Sequence, residues 1–200
     1  TVNMNVATEP SVLVLDSHGN PVQGVSVTFA VASGGGSVTG GTQTTDASGV
    51  ATVGSWKLGT VAGANTLSVT STGLPSVTFD ATGTADAATT LALQGGDNQS
   101  ATVHTDVATA PSVLVTDQFS NPVVGVSVDF AVASGGGTLT GASASTDGAG
   151  VAAVGSWKLG TGAGANTLTA TAGSLAGSPL TFHATGTPDA LDHLALSPAT

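Results

Sequence analysis

Any chemistry in this chain of 200 residues has to start from its rarest side chains. The octapeptide VGSWKLGT occurs at residues 53–60 and again at 154–161. Its two copies hold both tryptophans, Trp56 and Trp157, and the only basic side chains, Lys57 and Lys158. An indole beside an ammonium group makes a stacking platform with a hydrogen-bond donor, suited to a sugar or an aromatic ligand. The same octapeptide also reads as a packing device, with the tryptophan covering the open end or side of a folded unit and the lysine stem lying along apolar surface. Gly54 and Gly59 flank it, as a bulge or a bend requires. No other Lys or Arg occurs to complete a pocket, so the octapeptide is expected to pack.

Carboxylates recur too, in the pairs Asp16 and Asp117, Asp46 and Asp147, and Asp86 and Asp189. A calcium site needs six to eight oxygens drawn from several carboxylates and carbonyls. The segments TGTADA (82–87) and TGTPDA (185–190), with Asp97 or Asp192 nearby, supply part of such a set, so Asp86, Asp97, Asp189 and Asp192 are the calcium candidates. The alternative for every one of these recurring pairs, Asp86 and Asp189 included, is ordinary turn chemistry, because Asp bonds its own backbone two residues on, and that is the expected reading. No cofactor other than calcium is suggested.

The four histidines, His18, His104, His183 and His193, fall opposite Phe119, Asn3, Asp80 and Thr90 in the repeat described below, so none recurs. No two have a metal-ligand spacing. No Gly-x-Ser-x-Gly segment leads into a helix, and the glycine-rich SGGGSVTGG precedes none that could cradle phosphate. The chain is not expected to be an enzyme.

Composition narrows the classes further. Hydrophobic residues make up 40 % and aromatic residues 4 %, so packed cores must be aliphatic. Only 7 % of residues are charged and the net charge is −10. Nucleic-acid binding needs clustered Lys and Arg, and two lysines about a hundred residues apart form no such patch. The same shortage rules out attraction to anionic lipid, and no apolar run reaches the eighteen or so residues of a membrane span. Cysteine is absent, which removes disulfides, thiolate nucleophiles and cysteine-based zinc sites together.

These residues are positioned by a duplication. ATEPSVLVLD (7–16) lies over ATAPSVLVTD (108–117) at an offset of 101. GVSVTFAVASGGG (24–36) matches residues 125–137 at twelve of thirteen positions. A two-residue insertion near AGSLAGSPL moves the offset to 103, aligning Phe79 with Phe182. A period near a hundred residues is the size of one immunoglobulin-like sandwich. The expected domains are residues 1–86 and 87–187, with 188–200 a linker and the first strand of a following repeat. LALQGGDNQS (91–100) has no equivalent before Thr1, whereas its counterpart LALSPAT (194–200) follows the second copy. The first domain is therefore expected to lack the start of its first strand. The piece either comes from a longer array or joins copies head to tail by lending a strand.

Periodicity makes the chain all-β. In VSVTFAV, Val25, Val27, Phe29 and Val31 share one face; at the second copy Thr28 becomes Asp129 while Phe29 stays Phe130, as expected if the Phe face is buried. Val77 and Phe79 point inward by the same reasoning, as do Val12 and Val14. DSHGNP, SGGG, DASG and AGAN mark the turns between strands. Two tandem immunoglobulin-like β-sandwich domains result.

The ordered segments LVLDSHGNPVQGVSVTFAV, GGG, TDASGVATVGSWKLGT, GANTLSVT and VTFDATG resemble bacterial Ig-like domains of group 1, the invasin and intimin type. That resemblance covers nearly the whole chain, twice. It implies tandem repeats at an extracellular or bacterial cell-surface location, in adhesins, secreted polymers or appendages, and it carries over no catalytic residues. Neighbouring copies are the implied partners, with a host or surface receptor bound through other modules. The expected function is that of a structural or extender repeat; the alternative is a carbohydrate- or cell-surface-binding module using the Trp-Lys segments.

Overall fold

A computed structural model describes residues 1–193, and these residues contain strands and turns but no helix. The chain divides into two compact units, Thr1–Asp86 and a second beginning at Ala87. LALSPAT (194–200), expected to begin a further strand, lies outside the described residues.

The first unit has eight strands: β1 (Ser11–Leu13), β2 (Ser26–Ser33), β3 (Ser37–Thr39), β4 (Thr42–Thr44), β5 (Val50–Thr52), β6 (Ser55–Lys57), β7 (Gly63–Thr70) and β8 (Val77–Gly83). They form sheets ordered β4-β2-β7-β8, β1-β5 and β3-β6. Every β2–β7 and β7–β8 pairing is antiparallel, with Phe29 opposite Val69 and Leu67 opposite Phe79. Alternation does what the sequence implies: Val27 and Phe29 are buried while Ser26, Thr28 and Ala30 face out. Val27, Phe29, Ala51, Val53, Trp56, Leu58, Leu67 and Val69 make the core.

The second unit repeats this plan and adds two strands at its start. Its strands are β9 (Ala88–Gly95), β10 (Gln99–Thr102), β11 (Ser112–Asp117), β12 (Ser127–Ser134), β13 (Gly137–Thr140), β14 (Ser143–Ser145), β15 (Val151–Ala153), β16 (Ser156–Leu159), β17 (Gly164–Thr171) and β18 (Leu180–Thr187). Strand β9 pairs antiparallel with β11, whereas β10 crosses to the other sheet and runs parallel to β18. One edge segment thus closes both sheets, giving the orders β15-β11-β9 and β14-β12-β17-β18-β10. Fifteen residues make this core, against eight in the first unit, because the added strands cover what the first unit leaves open.

Two expectations need correction. Asn65 was placed in the turn AGAN, but it lies inside β7 and is buried; its side chain satisfies itself on backbone, as described below. Val77 was expected to point into the core, yet it is exposed, and Val12, Val14 and Phe79 are only half-buried. Their counterparts Val113, Val115 and Phe182 are fully buried. Among the described residues β1 pairs with β5 alone, so the apolar face at that edge has no strand over it.

Candidate functional site

The octapeptide gives Val53, Trp56 and Leu58 to the first core and Val154, Trp157 and Leu159 to the second. Strand β6 pairs with β3, setting Trp56 opposite Val38, and β16 pairs with β13, setting Trp157 opposite Leu139. The indoles are 2 % and 0 % exposed and belong to the two cores. An enclosed ring offers no face for stacking, so the sugar-platform reading of Trp56 and Trp157 is not supported by their geometry. Each ring sits beneath the surface. Among the described residues no group accepts a hydrogen bond from either indole N–H.

What the octapeptide contributes besides the ring is a backbone joint. A Cβ on Gly59 would overlap the carbonyl oxygen of Gly34, and one on Gly36 would overlap the carbonyl oxygen of Lys57. Gly160, Gly135, Gly137 and Lys158 repeat the arrangement. Gly59 was expected to mark a bend; its physical reason is this close approach of two backbones. Asn65 completes the joint. Its Oδ1 accepts from the Gly59 N–H at 3.1 Å and its Nδ2 donates to the Gly63 carbonyl at 3.1 Å. Asn166 does the same with Gly160 and Gly164 at 3.4 Å and 3.1 Å. The three segments SGGG, KLG and GAN therefore recur together because they touch.

Lys57 and Lys158 are half-buried at the rim of a shallow hollow over this joint, about 590 Å³ in the first unit and about 320 Å³ in the second. Glycines are four of the ten residues lining the first hollow and five of the ten lining the second, and the polar side chains beside Lys57 in the first lining are those of Asn3, Ser37 and Thr60. The second lining holds His104 where the first has Asn3, and neither lining contains a carboxylate.

The recurring aspartates cap turns. Asp16 Oδ1 accepts from the backbone N–H groups of His18 (2.8 Å) and Asn20 (2.9 Å), and Oδ2 accepts from Asn20 Nδ2 (3.0 Å). The Asn20 side chain, then these backbone donors, hold the carboxyl below its ordinary value. Asp117 makes the same bonds to Phe119 and Asn121. Asp46 and Asp147 each accept two backbone bonds in their own turns. Thr45 and Thr146, whose importance local pattern does not announce, tie the neighbouring strand: Thr45 Oγ1 accepts from Val25 N–H and donates to the Val22 carbonyl.

Of the calcium candidates, Asp97 is engaged with β18. Its Oδ1 accepts from the His183 backbone N–H at 2.7 Å and lies 3.3 Å from His183 Nδ1, while Oδ2 accepts from Asn98 Nδ2 at 3.0 Å. Asp189 accepts from the N–H of Ala190, and Asp192 meets His193 at 3.2 Å on an exposed stretch. Asp86 is half-buried at the end of the first unit. Among the described residues no three His, Asp or Glu side chains gather as a metal-ligating group.

No family model and no curated protein matches the chain. Solved structures do. InvD of Yersinia pseudotuberculosis is similar over 94 % of this chain at 23 % identity and a TM-score of 0.57. FdeC, an Escherichia coli adhesin, is similar over 92 % at 21 % identity and a TM-score of 0.51. The D0-D1 domain of intimin covers 90 % of this chain and 85 % of its own at 21 % identity and a TM-score of 0.36. This chain spans 54 % of the InvD chain and 60 % of the FdeC chain. What is shared with InvD and FdeC is the fold, an all-β immunoglobulin-like architecture.

Proposed function

We propose that this chain is a spacer segment of an extracellular bacterial surface fibre, stalk or adhesin, in which two near-duplicate sandwiches add length and carry no catalysis. The observation that supports this most is where the duplicated residues lie. Trp56 and Trp157, the Gly34–Gly59 and Gly135–Gly160 contacts, and Asn65 and Asn166 all serve cores and joints. Recurring residues that build the cores and joints are what a repeat needs in order to fold and stack. The fold shared with InvD and with the adhesin FdeC agrees with this reading. Receptor recognition then belongs to other modules of the parent polypeptide, and neighbouring copies of the repeat are the partners. Joining of copies head to tail through a lent strand is the polymerising form of the same reading.

The test uses cells. Antibodies raised against these 200 residues are expected to label intact bacteria, and external protease to strip the label. Deleting residues 87–187 from the parent is expected to shorten its reach and leave receptor binding in place. Antigen confined to the cytoplasmic fraction would overturn the proposal.

A further inference from the structure

We infer that the parallel pairing of β10 with β18 is a mechanical clamp, which makes the second unit a load-bearing element that yields slowly when the chain is pulled along its length. The inference rests on the spacer reading for the tension it needs, since a stalk is pulled at both ends.

Strand direction decides how a pulled sandwich comes apart. Tension reaches the second unit through Ala87 and leaves it beyond Thr187. A pull on Ala87 draws β9 and β10 toward their N-terminal ends, and a pull beyond Thr187 draws β18 toward its C-terminal end. Because β10 and β18 run parallel, those two pulls are opposed along one axis. The strands must slide past each other. Inter-strand bonds run across the strands, so sliding stretches all of them together. An antiparallel pair loaded at the same two ends would open one bond at a time.

The pairing runs from Gln99 opposite Ala184 to Thr102 opposite Thr187. Its C-terminal end is extended by the Val103 N–H, which donates to the Thr187 carbonyl at 2.9 Å, while Thr187 Oγ1 donates to the Ala101 carbonyl at 3.3 Å. Its N-terminal end is extended by a side chain. The preceding residue, Asn98, has φ +54° and turns the backbone out of the ladder. Asp97 takes its place: Oδ1 accepts from the His183 N–H at 2.7 Å, a charge-assisted bond. Gln99 ties the same segment to the chain ahead of β11. Its Nε2 donates to the Thr109 carbonyl at 2.7 Å and its Oε1 accepts from the Thr109 N–H at 2.8 Å. No residue of β10 is fully buried, so its hold on β18 is chiefly one of hydrogen bonds.

Strand β9 takes part of the load through β11, but that pairing is interrupted by two register shifts. Strand β10 is the part of the entering segment that pairs with the leaving strand itself.

The chain has no cysteine, so pulling handles attach only where cysteines are placed. In the full chain, Thr84→Cys with Asp189→Cys, both at exposed positions, puts the second unit between the handles. Thr84→Cys with Ser174→Cys moves the exit to the loop before β18. Ala176 of that loop donates to the Thr89 carbonyl at the start of β9, so tension then leaves beside its point of entry and β18 bears no shear. At one fixed force the first geometry is expected to stay folded at least about tenfold longer than the second, because it loads the clamp bonds together. Two proline variants separate the clamp from general damage. Alternation along β10 turns the Ala101 N–H the same way as that of Val103, toward β18, and the Ser100 N–H away. In the first geometry Ala101→Pro is expected to shorten the folded dwell about tenfold, and Ser100→Pro to leave it within about twofold. Asp97→Ala is expected to shorten it as well. Equal dwell times in the two geometries, or equal losses from the two proline variants with Trp157 emission unchanged, overturns the inference. Neither result bears on where the parent protein is found: a cytoplasmic parent would remove the spacer reading and leave the clamp result standing.

Discussion

The carbonyl oxygen of Gly34 lies against the α-carbon of Gly59, so close that one methyl group on Gly59 would overlap it. This contact joins a turn to the end of β6, and the buried Asn65 locks it from below by accepting from the Gly59 N–H.

Gly59→Ala and Gly160→Ala are therefore expected to destabilise their units by roughly 1–3 kcal/mol through overpacking against backbone that cannot move aside. Gly19→Ala is the control. Gly19 has φ +84° with open space around it, so only the left-handed backbone is strained and the cost is about 1 kcal/mol. Urea midpoints at constant m-value measure both.

Trp157→Ala is expected to cost about 3–5 kcal/mol, the usual range for emptying a buried aromatic site. Trp157→Phe should cost much less, roughly 1–2 kcal/mol, since it keeps a ring in place and removes an indole N–H with no acceptor among the described residues. A Phe variant as damaging as the Ala variant would mean that the indole nitrogen matters.

The two units should differ in stability. Leu91 and β10 complete the core of the second, while the first leaves Val14 and Phe79 half-buried. Calorimetry at low concentration is expected to resolve two transitions, with the first unit melting earlier. The tryptophans assign them: Trp56→Phe removes the fluorescence change of the earlier transition and Trp157→Phe that of the later one.

Acid should weaken both units. Asp16 is held below its ordinary 3.8 by the Asn20 side chain and by backbone donors. At Asp97 burial pushes the carboxyl up, but the N–H groups of His183 and Asn98 and the His183 ring outweigh it, and the net direction is downward. A carboxyl depressed by folding contributes stability that is present above its unfolded value and lost as pH falls through its folded value. The loss is thus expected below pH 3.8, and Asp97→Asn should flatten the acid limb of the second unit. An unchanged pH profile in that variant would contradict the assignment.

Alternation and duplication made the sandwich plan readable from the sequence. Val27 and Phe29 are buried beside exposed Thr28, and the variable position at Asp80 and His183 faces out, as substitution between copies implies. The aspartate turns were readable for a local reason, since each carboxylate bonds backbone within four residues. Asn65 was not readable, because its partner Gly59 comes from a separate segment and a polar residue before a strand looks like a turn. The crossing of one edge segment between sheets was hidden too. The parallel pairing of β10 with β18 joins residues some eighty-five apart and leaves no local mark.

The central claim is that Trp56 and Trp157 of the octapeptide belong to the interior of their units. Tryptophan emission of the intact chain, titrated with iodide and with a panel of glycans, tests that claim most directly. Blue-shifted emission, weak quenching and no response to any sugar are predicted. Red-shifted emission that iodide quenches and a glycan protects would contradict it.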